Sequence, residues 1–240
     1  QLLQIPVCIL LGLIVNFMLY EVYSNFTINT YWMNVGLLIL GYIVSLVSGK
    51  SFEEYLRKEV FAPLEMKDTT FFPNKEQEKR LVRLVKRKGN KLVDVTDTKE
   101  DTQECGRLVA YRYEAGCGGL YGTITDYEHM ARMLCSNGMY QGKQFLRPET
   151  VCLMHTEAQK QHLEPEPGFT WGLSVKIRQN PELSGSYAHK GTYGWSGAFG
   201  THFFVCPDEK LEAVFMTNRS DLGGSGSYIS EKVEELVFGS

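Results

Sequence analysis

Phe199 to Thr217 reads FGTHFFVCPDEKLEAVFMT, and this stretch decides the fold class. Phe199 to Val205 and Leu211 to Thr217 are both apolar in strand fashion, and Pro207-Asp208 between them is a turn signal, so the segment is expected to be an antiparallel hairpin. Further upstream, Trp171 to Arg178 reads as another strand. Downstream, Ser230 to Val237 is amphipathic and is expected to close the chain as a helix. The earlier half has a different period. Leu37 to Val47 is a helix-length apolar run stopped by Ser48-Gly49, and Ser51-Phe52-Glu53-Glu54 is a capping box that starts a helix running to about Ala62 before Pro63. Thr125-Asp126-Tyr127-Glu128 reads as a second capping box, with a helix to Ser136, and Pro148 opens a third helix through about His155. Lys88-Gly89-Asn90-Lys91 is a turn between short strands. Helices lead and antiparallel strands follow, which is an α+β layout.

Composition limits what such a domain does. The chain has 240 residues with 25 Lys+Arg against 28 Asp+Glu, a net charge of −3, which excludes a nucleic-acid binder working by bulk charge. At 43% hydrophobic and 12% aromatic residues it can build a large core, so disorder, collagen and coiled coil fall away. The charge is unevenly placed: residues 1–49 carry one charged side chain, Glu21, and no Lys or Arg occurs before Lys50. Ile5 to Tyr20 and Val35 to Val47 are apolar runs that fall short of the ~18–20 residues that cross a bilayer. With no basic n-region, no signal peptide is read; the location is left open between cytoplasmic and membrane-associated, with residues 5–20 as the candidate membrane contact and a buried core helix as the plainer reading of Val35 to Val47. The start at Gln1 rather than Met fits a fragment or a processed product.

Six cysteines, Cys8, Cys105, Cys117, Cys135, Cys152 and Cys206, form no CxxC pair and have no histidine at ligand spacing, so no metal and no cofactor is expected, and separate thiols point to a reducing compartment. Asn25-Phe26-Thr27 and Asn218-Arg219-Ser220 match the glycosylation sequon, which matters only in a secreted protein. The glycine-rich turn Gly116-Cys117-Gly118-Gly119 lacks the Lys-Ser/Thr of a phosphate-binding loop. The basic stretch Lys75 to Lys91 reads as a solvated face, given acidic Asp94, Asp97, Glu100 and Asp101 just beyond.

Several blocks in order carry a resemblance: Leu40-Gly41-Tyr42 through Gly49-Lys50-Ser51-Phe52-Glu53-Glu54-Tyr55-Leu56; Val60-Phe61-Ala62-Pro63-Leu64-Glu65-Met66-Lys67-Asp68-Thr69; Cys117-Gly118-Gly119-Leu120 with Thr123 and Asp126-Tyr127; Pro148-Glu149-Thr150-Val151; Trp171-Gly172-Leu173; and Gly194-Trp195-Ser196-Gly197 through Pro207 to Thr217-Asn218-Arg219. Together they resemble the serine β-lactamase-related family, which groups class C β-lactamases, DD-peptidases and related esterases. The resemblance implies an antiparallel sheet packed with helices plus a helical lobe, with residues 37–240 as the C-terminal part of such a domain and residues 1–36 as an atypical apolar segment. It implies ester or amide hydrolysis of a small molecule, β-lactam-like compounds included, through an acyl-enzyme.

That chemistry needs a nucleophilic serine with a lysine three residues on, a Tyr-x-Asn or Ser-x-Asn motif, and a Lys/His/Trp-x-Gly strand. No serine here is followed by lysine at that spacing, and only 22 residues precede Tyr23, so the nucleophile helix and N-terminal strands of the family are missing from this sequence. By identity the second motif is Tyr23-Ser24-Asn25; by spacing from Leu40-Gly41 it is Trp32-Met33-Asn34, where an indole that cannot shuttle a proton stands in place of the hydroxyl. For the third motif Trp195-Ser196-Gly197 is favoured, with the amide of Ala198 as oxyanion donor, over the competing His189-Lys190-Gly191; His189 is expected nearby in the loop entering the strand. His129, His155, His162 and His202 are given no role. The expectation is therefore a serine hydrolase whose nucleophile lies outside these residues; the alternative is a non-catalytic, degenerate homologue that binds a ligand, a partner or a membrane.

Overall fold

The hairpin between residues 199 and 217 forms the edge of a five-stranded antiparallel sheet. This computed structural model describes residues 26–96, 98, 114–116, 118–157, 166–197, 199–224 and 227–239. In chain order the helices are α1 (Phe26–Ser48), α2 (Phe52–Leu56, continued by a π turn over Arg57–Phe61), α3 (Lys75–Glu78), α4 (Ile124–Cys135), α5 (Pro148–Met154), α6 (Pro181–Ser184) and α7 (Tyr228–Phe238). The strands are β1 (Val85–Lys88), β2 (Lys91–Asp94), β3 (Met139–Tyr140), β4 (Lys143–Gln144), β5 (Phe169–Trp171), β6 (Lys176–Arg178), β7 (Tyr193–Ser196), β8 (His202–Cys206) and β9 (Leu211–Phe215). The last five make the sheet in sequence order, so every neighbour is joined by a local connection. The shorter pairs β1–β2 and β3–β4 stand apart from it.

Local chemistry explains where the elements begin and end. Lys88 pairs with Lys91 across a turn in which Gly89 adopts φ +63°, as the turn signal requires. The expected strand over 171–178 is two strands: Gly172 donates to the Val175 carbonyl at 2.9 Å and turns the chain, so Trp171 faces Lys176 across a hairpin. A Cβ on Gly172 would lie 2.1 Å from the Met154 carbonyl oxygen, so only glycine allows the turn to pack against the end of α5. Strand β8 begins at His202 rather than Phe199, because Gly197 to Thr201 close a tight turn with Gly200 at φ +79°. The helix after Ser51 starts as expected, the Ser51 hydroxyl accepting from the Glu54 amide, and ends with a π turn. Helix α4 is capped by Thr123, not Thr125: the Thr123 hydroxyl accepts from the Asp126 amide at 3.1 Å.

Asp126 is drawn elsewhere. It is buried, and one carboxylate oxygen accepts from the Asp68 amide and the Thr69 hydroxyl, both at 2.8 Å, tying the loop after α2 to the first turn of α4. Asp126→Ala leaves both donors unsatisfied and removes a favourable charge from a helix N-terminus. The expected loss is about 2 kcal/mol, read as a shift in the urea midpoint with m unchanged.

One face of the sheet packs on the helical lobe. Phe61, Leu64 and Met66 after α2, Ala131, Met133 and Leu134 of α4 and Val151 of α5 meet Val175, Ile177, Tyr193, Phe203 and Val205 of the sheet in one buried cluster. The opposite face is covered by α7, whose Phe238 ring meets Phe204 at 5.3 Å. Among the described residues no single helix is long and apolar enough to cross a membrane; part of α1 and the helix after it form one apolar pair bent by 73°. The membrane contact expected through residues 5–20 lies outside the described residues. Among the described cysteines, Cys135, Cys152 and Cys206 are free thiols.

Candidate active site

Strand β7 is paired along its whole length with β8, but its pairing with β6 involves only Tyr193 and Gly194. The direction of its backbone groups follows from two hydrogen bonds. The Thr192 carbonyl accepts from the Arg178 amide at 2.8 Å on the β6 side, whereas the Gly197 amide donates to the Thr201 carbonyl at 2.8 Å on the β8 side. Backbone groups alternate between the two edges of a strand, so the N–H and C=O of Ser196 face the β6 side one step beyond the last β6 pair. Among the described residues the Ser196 N–H and C=O therefore have no strand partner, at the end of an internal strand. Beside this notch Trp195 is 42% exposed, and its indole lies 4.8 Å from that of Trp171, the last residue of β5. An extended or planar carbonyl compound laid along this edge gains backbone hydrogen bonds and an aromatic wall at once.

The strand is held from both faces. Toward the helical lobe, Tyr193 is 2% exposed, stacks on His155 at 4.5 Å with the rings 6° from parallel, and donates from its hydroxyl to the Leu134 carbonyl at 3.3 Å. Burial pushes its phenol well above the ordinary tyrosine range and holds His155 below the ordinary histidine range. Gly194 is needed where it is, because a Cβ there would lie 2.1 Å from the Phe203 carbonyl oxygen. Toward α7, Ser196 Oγ and His202 Nδ1 are 2.8 Å apart across β7 and β8. His202 Nε2 is 3.4 Å from Glu234 Oε1, and Glu234 Oε2 accepts from Arg178 Nη2 at 2.5 Å and from the Ser186 hydroxyl at 2.7 Å. Burial works to raise the Glu234 pKa, but His202, Arg178 and Ser186 outweigh it and hold the carboxyl below its ordinary range. This chain of contacts spans β6, β7, β8 and α7, and it lies on the sheet face away from Trp195. It locks the strand that carries the notch.

The structure brings Trp195, Ser196 and Gly197 together at the end of β7. It does not bring His189 there: that side chain is at the other end of the strand, half-exposed, with Nδ1 3.0 Å from Glu209 Oε1 and its ring 5.0 Å from Phe238. Trp32 and Asn34 fall on α1, while Tyr23, Asn25 and Ala198 lie outside the described residues. Sequence reasoning gave Trp171 no role beyond its motif and His202 none at all. The strand alternation of His202, Phe204 and Cys206 against Phe203 and Val205 is the signal that places the histidine on the α7 face. Among the described residues no group of three or more His, Cys, Asp or Glu side chains is placed to hold a metal ion.

Comparison with known proteins agrees with this architecture. The β-lactamase family model matches residues 25–237. Protein Rv1367c of Mycobacterium tuberculosis is 26% identical over 189 residues, covering 74% of this chain and 46% of that protein. A putative D-alanyl-D-alanine carboxypeptidase of Escherichia coli K12 is 22% identical over 200 residues, covering 78% of this chain and 44% of that one. Among solved structures, EstCE1, a hydrolase with promiscuous acyltransferase activity, shares the fold with a TM-score of 0.71 at 21% identity, over 85% of this chain and 55% of that chain. The chain spans about half the length of the curated relatives it matches. An antiparallel sheet with a helical lobe on one face and a terminal helix on the other, carrying the family's motif blocks in order, is thereby accounted for: the chain belongs to the β-lactamase family.

Proposed function

We propose that these residues supply the substrate-binding edge of a serine hydrolase that cleaves an ester, amide or β-lactam-like carbonyl compound through an acyl-enzyme. The observation that carries this is the backbone edge at Ser196, without a strand partner among the described residues and walled by Trp171 and Trp195, in a chain of this family. In this reading the carbonyl oxygen of the substrate is polarised by the Ala198 amide, and the acyl portion lies along β7 against the two indoles. Proton transfer falls to Tyr23 with Asn25 if the motif is in the register of identity. In the register of spacing, Trp32 and Asn34 take the place, and no proton relay is available. The serine that attacks the carbonyl is not one of this chain's, since none stands three residues before a lysine. The described edge thus binds carbonyl substrates reversibly, and these 240 residues by themselves do not turn them over. A titration of intrinsic tryptophan fluorescence with an N-acyl-D-alanyl-D-alanine peptide tests the binding half. Saturable quenching is expected, weakened roughly tenfold by Trp171→Ala, the loss expected for about 1.4 kcal/mol of aromatic contact. Quenching that does not saturate, or that is the same in the variant, rules out this edge as the binding site.

A further inference from the structure

The β1–β2 hairpin concentrates a charge that the rest of the chain opposes. From Lys79 to Val93 the sequence holds seven Lys and Arg and no Asp or Glu, although the whole chain carries −3. The root of the hairpin is fixed in the body of the protein. Leu84 and Val95 are buried there, and the Val95 amide donates to the Leu84 carbonyl at 2.9 Å. The Val85 amide donates to the Asn218 carbonyl at 2.9 Å and the Ser220 amide to the Val85 carbonyl at 3.1 Å, which ties β1 to the segment after β9. Two carboxylates at this root are engaged by arginines at the same end: Asp94 by Arg83, and Asp221 by Arg219 at 2.6 Å.

The tip has a different character. Lys88 faces Lys91, Arg87 faces Leu92 and Lys86 faces Val93 across the ladder. Paired side chains lie on the same side of a ladder and successive pairs alternate, so Arg87 and Leu92 share one face while Lys86, Lys88, Lys91 and Val93 share the other. Arg87, Lys88 and Lys91 are exposed, and so are the two aliphatic side chains, Leu92 by 59% and Val93 by 37%. Like charges placed opposite each other, as Lys88 and Lys91 are, cost stability in water, and an anionic surface removes that cost. Each face therefore sets cations beside an uncovered aliphatic group. A nucleic acid would use the cations, but the hairpin has no aromatic ring on which a base could stack. A lipid headgroup layer uses both: its phosphates take Lys and Arg, and the acyl boundary beneath takes Leu92 and Val93. We propose that the β1–β2 hairpin docks this protein on an anionic lipid surface.

This inference does not rest on the hydrolase reading. The test is co-sedimentation of the 240-residue protein with phosphatidylcholine vesicles, with and without about 30% phosphatidylglycerol. Saturable binding is expected only with the anionic lipid, weakened ~10-fold when NaCl is raised to about 500 mM. Removing three tip charges together, Arg87→Ser with Lys88→Ser and Lys91→Ser, is expected to weaken binding ~100-fold, and Leu92→Ser alone ~5-fold. Lys58→Ser with Lys143→Ser and Lys190→Ser takes the same charge from exposed positions elsewhere, and is expected to change binding by less than ~3-fold. No preference for the anionic vesicles, wild-type affinity in the tip variant, an equal loss in the other triple variant, or tighter binding to a DNA duplex at the same salt would each overturn the inference.

Discussion

Glu234→Ala is expected to lower the unfolding free energy by about 3–5 kcal/mol, because it strands a buried cation. The Arg178 and Glu234 side chains are 7% and 9% exposed, and Glu234 is the acceptor for Arg178 and Ser186 and the carboxylate beside His202. Burial already holds the Arg178 pKa below its ordinary range, so the guanidinium has no cheap way to keep its charge once its partner is gone. Replacing both members, Arg178→Met with Glu234→Leu, is expected to recover most of the loss, since removing a buried pair together leaves no orphan charge. The pH dependence has a definite sign. Glu234 is held below its ordinary pKa in the folded protein, so its contribution is fully present above the unfolded value and is lost as pH falls through the folded one. The gap between wild type and Glu234→Ala should therefore narrow below about pH 4, a trend that denaturant melts across pH 3 to 7 will reveal. A gap that stays constant or widens toward acid would mean that Glu234 is not held ionised by this network.

Tyr193→Ala is the second large effect, at about 3–5 kcal/mol and roughly a 10 °C drop in melting temperature for a chain of this size. The ring sits at the junction of the sheet and the helical lobe, in the cluster with Leu134, Val151 and Phe203, and stacks on His155. Its removal leaves a cavity against a helix end that cannot collapse freely, because Gly172 already packs against Met154 and His155 there. Tyr193→Phe removes only the hydroxyl bond to Leu134 and should cost about 1 kcal/mol. The two variants separate packing from hydrogen bonding by differential scanning calorimetry. Equal losses in both would place the energy in the hydroxyl and contradict the packing account.

The sequence made the sheet's last hairpin legible because two apolar runs, Phe199 to Val205 and Leu211 to Thr217, flank Pro207-Asp208, and local turn chemistry suffices for that. The same signals located α4, α5 and α7 to within a few residues. They failed where a long-range contact decides the outcome. Thr125 looked like the cap of α4, but the helix begins at Ile124 with Thr123 accepting from the Asp126 amide, and the Asp126 carboxylate is spent on Asp68 and Thr69, more than fifty residues away in sequence. Trp171 to Arg178 looked like one strand because the close approach of Gly172 to the Met154 carbonyl is invisible in a local window. At the site, the residue types of Trp195-Ser196-Gly197 were readable, whereas the notch beside them was not. It arises because β6 is three residues long and stops pairing at Gly194. The Ser196–His202–Glu234–Arg178 network was equally hidden, since it joins three strands and a helix that only the fold brings together.

If this chain supplies a substrate edge but not the attacking serine, as proposed, none of its serines should be acylated. Intact mass spectrometry of the 240-residue protein, before and after treatment with a fluorophosphonate and with a penicillin, tests it most directly. An unchanged mass is expected with both probes. A stoichiometric adduct that peptide mapping assigns to any serine of this chain would contradict it.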